Sequence, residues 1–325
     1  MPSSGAVSHT SFGDEWSDRV VAVAGLGSVG LAAVDALHHI GATVIGIDTH
    51  EIASNHDERA KLFTYLGVKL HHGESAPSVL DNLDLVVVAE QWMADSSIVA
   101  HAYSRGIPIW SEAELAWQIR GEEPAPWLTV AGSRSGSATA VILERILSAA
   151  GVRALAVGNQ HASLLESVMD PEGPAVLIVE LSETQLRWPT TLSPVSAVAV
   201  DAPTDDTLFN PFSGTQIACV YSVQNAGSRR LAEDADVVEG ARAVGVSMAS
   251  PGFGDIGLVE NIVADRAFGD DPRHEAEELF TLDDLGDVEA EVVISALAAS
   301  AVARSVGVKS HWVKIGIGDF ASTLH

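Results

Sequence analysis

Apolar positions in the first third of the chain follow two periods in turn. Val20 to Ala24 form a continuous apolar run, the pattern of a parallel strand buried on both faces. Leu31, Val34, Leu37 and Ile40 then repeat at helical spacing, Gly41 stops that helix, and "TVIGID" supplies the next strand. "LDLVVVAEQ", Leu83 to Gln91, predicts another buried strand, and "IPIW" near Ile107 a short one. Strand, glycine turn, helix and strand in this order make a Rossmann-like unit ending near residue 120.

"IRGEEPAPW" then places charge, glycine and two prolines between apolar segments, so a domain boundary is expected at about residues 120 to 126. Beyond it "WLTVA", "RALAV", "AVLIVEL" and "VSAVAV" read as strands alternating with helices, a second α/β sheet. "QIACVYSV", "ARAVGVSM" and "IGLVENIVADRAF" read as later strands, and Ala290 to Val306 as a helix of small residues. The expected fold class is α/β, an N-terminal Rossmann-like domain over residues 1–122 followed by a central P-loop-like α/β domain over 123–309. Residues 310–325 are set apart as a C-terminal remnant.

At 325 residues and 47% apolar content the chain can bury a core in each domain. The N-terminus has neither a basic nor an apolar signal-peptide region, and every apolar run is soon broken by a charge, glycine or proline. A cytoplasmic protein without a membrane span is expected. The formal charge of −26, from 44 Asp plus Glu against 18 Lys plus Arg, opposes nucleic-acid phosphates and anionic lipid. The single cysteine, Cys219, lies in an apolar strand pattern and is expected to be buried and inert.

Two glycine-rich loops carry the candidate chemistry. The first runs Gly25-Leu26-Gly27-Ser28-Val29-Gly30 between strand and helix, with Asp48 at the end of the next strand. Such glycines let a phosphate approach the helix N-terminus, while the carboxylate can receive a ribose hydroxyl. A dinucleotide, another nucleotide and ligand-free helix packing all fit this pattern. The second loop is Gly132-Ser133-Arg134-Ser135-Gly136-Ser137. It has the position of a phosphate loop without the lysine that offsets phosphate charge. No lysine occurs between Lys69 and Lys309, and Arg134 is the one cation of the loop.

Taken with "RGIPIWSEAELAWQIR", "AVGNQHASLLESVMDP", "LIVELSETQLRW" and "SALAASAVARSVGV", these loops resemble the Mur ligase family, in particular its D-glutamate-adding branch. The resemblance covers nearly the whole chain. It implies an N-terminal domain for a UDP-sugar-peptide, a central ATPase domain and a third Rossmann-like domain. It also implies ATP and magnesium as cofactors, and an acyl phosphate attacked by an amine. Leu26, Ser28, Val29, Asp48 and Thr49 would then face uridine diphosphate instead of a dinucleotide, and Asn159 would face the substrate. Glu180 would correspond to a magnesium-holding carboxylate.

The departures from the family fall on the chemistry. The phosphate-loop lysine position holds Gly136 or Ser137, and a family glycine is His161. The segment after "VSAVAV" lacks the family's histidine motif and the lysine that becomes carbamylated, and the His-Asn pair before the last helix aligns near Glu291 and Val292. The serine-proline-glycine turn expected after "LVVV" reads Ala89-Glu90-Gln91, and His325 falls about where the third domain is expected to begin. Losing one electrostatic partner of a transferring phosphoryl group costs about 10²-fold or more in rate. The expected function is a catalytically inactive relative, a pseudoenzyme that binds UDP-N-acetylmuramoyl-L-alanine, a related UDP-sugar or a cell-wall-pathway protein, with ATP and magnesium binding weak or absent. A ligase completed by a second chain and an NAD-linked oxidoreductase are the alternatives. Glu180 is then expected to make a structural hydrogen bond to its loop, a vestigial metal role being the alternative. Asp205 and Asp206 are expected in a solvated turn, His38-His39 and His71-His72 on the surface, and Trp127 and Trp188 in the core.

Overall fold

The computed structural model describes residues 16–48, 58–72, 82–89, 96–132, 136–188, 190–201, 205, 207–269 and 271–324. The chain divides into two compact units, Met1–Glu122 and Glu123–His325.

In the first unit β1 (Val20–Ala24) leads through a glycine turn into α1 (Ser28–His39), followed by β2 (Thr43–Asp48), α2 (Glu58–Tyr65), β3 (Lys69–His72), β4 (Leu85–Val88), α3 (Ser97–Arg105), β5 (Ile109–Ser111) and α4 (Glu112–Ile119). The sheet order is β3-β2-β1-β4-β5, with all pairs parallel. Strand order reverses between β1 and β4, which makes a ligand crevice at their carboxyl ends, beside the glycine turn. Val21, Val23, Val86 and Val87 are buried, which is why these strands read as unbroken apolar runs. Gly41 takes φ +92 just past α1, a left-handed position that a side chain would strain.

The second unit runs β6 (Trp127–Ala131), α5 (Gly136–Ala149), β7 (Ala154–Val157), α6 (Leu164–Met169), β8 (Val176–Leu181), α7 (Glu183–Leu186), β9 (Ser196–Ala199), β10 (Ala218–Ser222), α8 (Ala226–Glu233), β11 (Arg242–Ser247), β12 (Ile256–Val259), β13 (Ile262–Asp265), β14 (Glu277–Thr281), α9 (Leu282–Leu285), α10 (Ala290–Ser305) and α11 (Ser310–Ala321). Its sheet has nine strands in the order β14-β13-β12-β11-β10-β9-β6-β8-β7. Pairing is parallel from β7 to β12, and β12, β13 and β14 form an antiparallel edge.

α5 packs against α10 and α11. Leu143, Ile146, Ala296, Leu297, Val302, Val313 and Ile317 share one buried core, and the small side chains of α10 let its backbone lie close to the sheet. Residues 310–325, set apart as a remnant on sequence grounds, belong instead to this unit. α11 lies so close to α5 that a Cβ on Gly316 would fall 2.4 Å from Ile146 Cα. Its Val313, Ile317 and Phe320 recur at helical spacing and are buried, a pattern interrupted in sequence by the two glycines. Strand β14 was not predicted, because only Leu279 and Phe280 are buried between Glu277 and Glu278 and the exit to α9. The β13–β14 register also shifts between Val263 and Ala264.

Candidate functional site

Gly25 has φ +91 and donates its backbone N–H to Ile47 at 2.8 Å. A Cβ on Gly30 would fall 1.7 Å from Gly25 O, so the start of α1 sits directly on the turn. Gly27 caps α1 without a side-chain hydrogen bond, and the first turn carries no acidic residue. Ser28 is exposed and Val29 half-buried there. A 12-residue helix whose first N–H groups have no side-chain cap among the described residues presents its positive dipole end, which suits an anion.

Two of the expected contacts change character. Leu26 is 3% exposed, and its side chain packs toward Gly46, so only its backbone can face a ligand. That backbone N–H donates to Asp48 Oδ2 at 2.8 Å, so this carboxylate also holds the loop in shape. Thr49 lies outside the described residues.

The second loop is bounded by Gly132, at φ +153, and Gly136; Ser133, Arg134 and Ser135 lie outside the described residues. A Cβ on Gly132 would fall 2.2 Å from Asp201 Oδ1, and one on Gly136 would fall 3.2 Å from Glu180 Oε1. Glu180, 2% exposed near the end of β8, therefore faces the start of α5.

The partners of Glu180 come from a different segment than expected. Asn159 Nδ2 donates to Glu180 Oε1 at 2.9 Å, so Asn159, assigned to substrate by the family pattern, has its amide turned onto this carboxylate. His161 Nε2 lies 2.9 Å from Glu180 Oε2, yet off the direction of a hydrogen bond, and Oε2 is buried without an aligned donor. The same ring nitrogen is 3.3 Å from Ser137 Oγ. The expected hydrogen bond to Glu180 from the glycine-serine loop falls on residues 133–135, outside the described residues; the contacts that are described come from the turn after β7.

Gly158 at φ +84 and Asn159 at φ +35 shape that turn. A Cβ on Gly158 would fall 2.6 Å from Glu180 O, so the turn lies flat against β8. His161 N–H donates to Gly158 O at 2.8 Å, and Gly158 N–H to Ala162 O at 2.9 Å. The role of His161 was missed in the sequence. Its one signal was a bulky residue closely following a Gly-Asn turn.

A magnesium-nucleotide complex would meet two departures here. The loop has no lysine, and the carboxylate that could hold a cation is buried against an imidazole and an amide. Among the described residues no group of three or more His, Cys, Asp or Glu side chains could hold a metal. A cavity of about 270 Å³ opens beside β9 and β10, and Asp201 and Glu291 are among its lining residues. Carboxylates at that edge oppose a polyphosphate.

The remaining candidates are structural. Trp127 and Trp188 are 1% exposed. Cys219 is buried, and burial pushes its thiol up to about 11 against a smaller opposing effect of the neighbouring Thr215. Asp205 is exposed and accepts from the N–H and hydroxyl of Thr207 at 2.9 and 2.6 Å, a local turn; Asp206 lies outside the described residues. His39 is exposed, and His38 and His71 are half-buried, with Nε2 of His71 itself buried; the side chain of His72 lies outside the described residues.

Among solved structures, the chain is similar to UDP-N-acetylmuramate:L-alanyl-gamma-D-glutamyl-meso-diaminopimelate ligase from Neisseria meningitides, with a TM-score of 0.56 and 16% identity over 92% of this chain and 97% of that one. It is also similar to a murein peptide ligase from Psychrobacter arcticus, with a TM-score of 0.52 and 15% identity over 92% of this chain and 68% of that one. The architecture is that of the Mur ligases. No family model matches the chain, but sequence relatives are specific. It is 36% identical over 322 residues to the UDP-N-acetylmuramoylalanine–D-glutamate ligase of Streptomyces avermitilis, covering 95% of this chain and 68% of the relative. The enzyme of that name from Streptomyces coelicolor is 35% identical over 332 residues, covering 96% of this chain and 69% of the relative. The chain belongs to the UDP-N-acetylmuramoylalanine–D-glutamate ligase family.

Proposed function

We propose that this member of the family is a cytoplasmic pseudoenzyme. It binds a UDP-linked muramoyl precursor through its first unit and does not carry out ATP-dependent ligation. The relatives' name supports the ligand class, and the open N-terminus of α1 beside Asp48 suits a diphosphate and a ribose hydroxyl. Family membership also favours a uridine nucleotide over a dinucleotide at this loop.

The observation that carries the loss of ligation is the missing lysine of the second loop. The second unit has two lysines, Lys309 and Lys314, both at the chain's end. Lys314 Nζ is 3.1 Å from Asp284 Oδ2 and 3.9 Å from Glu278 Oε1. Its helix meets α5 at Ile146, about 15 Å along the axis from Gly136 at the helical rise of about 1.5 Å per residue. Lys314 therefore does not replace the missing charge.

The test is a set of thermal melts with UDP-N-acetylmuramoyl-L-alanine, Mg-ATP and NAD in separate samples. A ligand at about 100 times its Kd adds about 2.7 kcal/mol and raises the midpoint by several degrees. Stabilisation by the UDP precursor alone is expected. Stabilisation by Mg-ATP, or ADP release with D-glutamate present, would overturn the reading. If none of the three ligands stabilises the protein, recognition of a cell-wall-pathway protein replaces ligand binding.

A further inference from the structure

We propose that His161 is an exclusion residue: its ring takes the place in front of Glu180 that a hydrated divalent cation would need. This deepens the pseudoenzyme reading and rests on it. A buried carboxylate needs a counter-charge or donors, because its desolvation is otherwise costly. At the end of a strand facing a helix N-terminus, that demand is commonly met by a cation and phosphate. Here the protein meets it from within.

Both sides of the carboxylate are closed. Oε1 is covered by Asn159 Nδ2 at 2.9 Å and by the backbone at Gly136. Oε2 has His161 Nε2 at 2.9 Å. Magnesium keeps about six oxygen ligands at about 2.1 Å, several of them waters. The ring nitrogen, 2.9 Å from Oε2, takes the position that a water of that shell would occupy, and magnesium prefers water and carboxylate oxygens to an imidazole.

The ring is also fixed. Its backbone closes onto Gly158, Val157 bridges Ala162, and the turn lies against β8. The side chain is 12% exposed and reaches Ser137 on α5. The imidazole therefore spans the gap between the carboxylate and the helix start. One acceptor is left unsatisfied, since Oε2 is buried without an aligned donor. That atom gives a cation something to bind once the ring is removed.

The experiment compares the full-length wild type with His161→Gly, His161→Ala, His161→Gln and the double variant His161→Gly/Glu180→Gln. Mn²⁺ binding is followed by the paramagnetic resonance of the free ion and by thermal melts with and without Mn²⁺. Weak binding to the acidic surface is common to all five proteins and cancels in the comparison. His161→Gly is expected to gain one site, with affinity about tenfold or more above wild type, and to recover a lowered midpoint when Mn²⁺ is added. The double variant should lose that site, and His161→Gln, which keeps bulk and a donor, should not gain it. If His161→Gly does not fold, His161→Ala carries the same expectation. The proposal is overturned if neither small variant gains a site, if the gain survives Glu180→Gln, or if the wild type already holds Mn²⁺ tightly. Mg-ATP melts of the wild type read the pseudoenzyme proposal separately, so the two can fail independently.

Discussion

Replacing Arg304 with methionine probes how α10 is fastened to the antiparallel edge of the second sheet. Arg304 Nε lies 2.7 Å from Asp265 Oδ2, one terminal nitrogen is 2.5 Å from Glu277 Oε2, and the other donates to Val308 O at 3.0 Å. Asp265 is fully buried and the Arg304 side chain is 9% exposed, whereas Glu277 is 38% exposed. Breaking a buried pair by removing one partner costs about 3–5 kcal/mol, and a half-exposed pair contributes far less. Asp265 keeps two backbone donors, Ala267 and Phe268 at 2.7 and 2.9 Å, which puts the expected loss near the lower bound, about 3 kcal/mol. For a unit of this size that lowers the melting midpoint by about 6–12 °C. Methionine keeps much of the stem's packing, so the loss reports charge and hydrogen bonding. Urea denaturation of the wild type, Arg304→Met, Asp265→Asn and the double variant gives the coupling, expected at about 1–3 kcal/mol. A loss under about 1 kcal/mol, or additivity of the two single changes, would refute the reasoning.

Cys219, pushed up to about 11 by burial, is expected to resist thiol reagents at pH 8 in the native protein and to react fully in urea; fast native labelling would contradict its burial. Burial pushes the Asp284 carboxyl up, but hydrogen bonds from the Thr281 N–H and hydroxyl, together with Lys314, outweigh it and hold the group below its ordinary value. Its contribution is therefore present above the unfolded carboxylate pKa, about 3.9, and is lost as pH falls through the folded value. The midpoint difference between wild type and Asp284→Asn should be largest near neutral pH and shrink in acid, so a difference that grew in acid would reverse the sign of the argument. Gly30→Ala places a Cβ 1.7 Å from Gly25 O and should cost about 1–3 kcal/mol or more. It should also weaken the melting response to the UDP precursor, and an unchanged midpoint would show that the turn can yield.

The parallel strands were legible because their burial is two-sided. β1 and β4 carry unbroken apolar runs, β6 and β8 runs interrupted only by Thr129 and Glu180, and the glycine turns gave the order of elements. The antiparallel edge was legible only in part, since β14 has two buried residues and a shifted register. α11 was hidden because its closest contact uses Gly316, a residue that reads as a helix breaker and here permits two backbones to meet. At the second loop, the missing lysine could be read directly, but the destination of Glu180 could not. That depends on a turn folded by Gly158 and Asn159, both at positive φ, and such a turn brings His161 to a strand that follows it in sequence only after α6.

The two glycine loops use the same local device for different ends. In each, a glycine at positive φ follows a buried strand and a second glycine lets the next helix press close. In each, a carboxylate on another strand of the same sheet lies beside the loop. Asp48 accepts from the turn's backbone and leaves the start of α1 exposed. Glu180 accepts from Asn159 and is covered by His161, with Gly136 buried. A helix N-terminus attracts an anion only if its N–H groups and the space before them are accessible. By that criterion the exposed start of α1 is what the proposed diphosphate binding rests on. At the second, the carboxylate beside the helix is in contact with the protein's own side chains, which project from a turn closed by backbone hydrogen bonds.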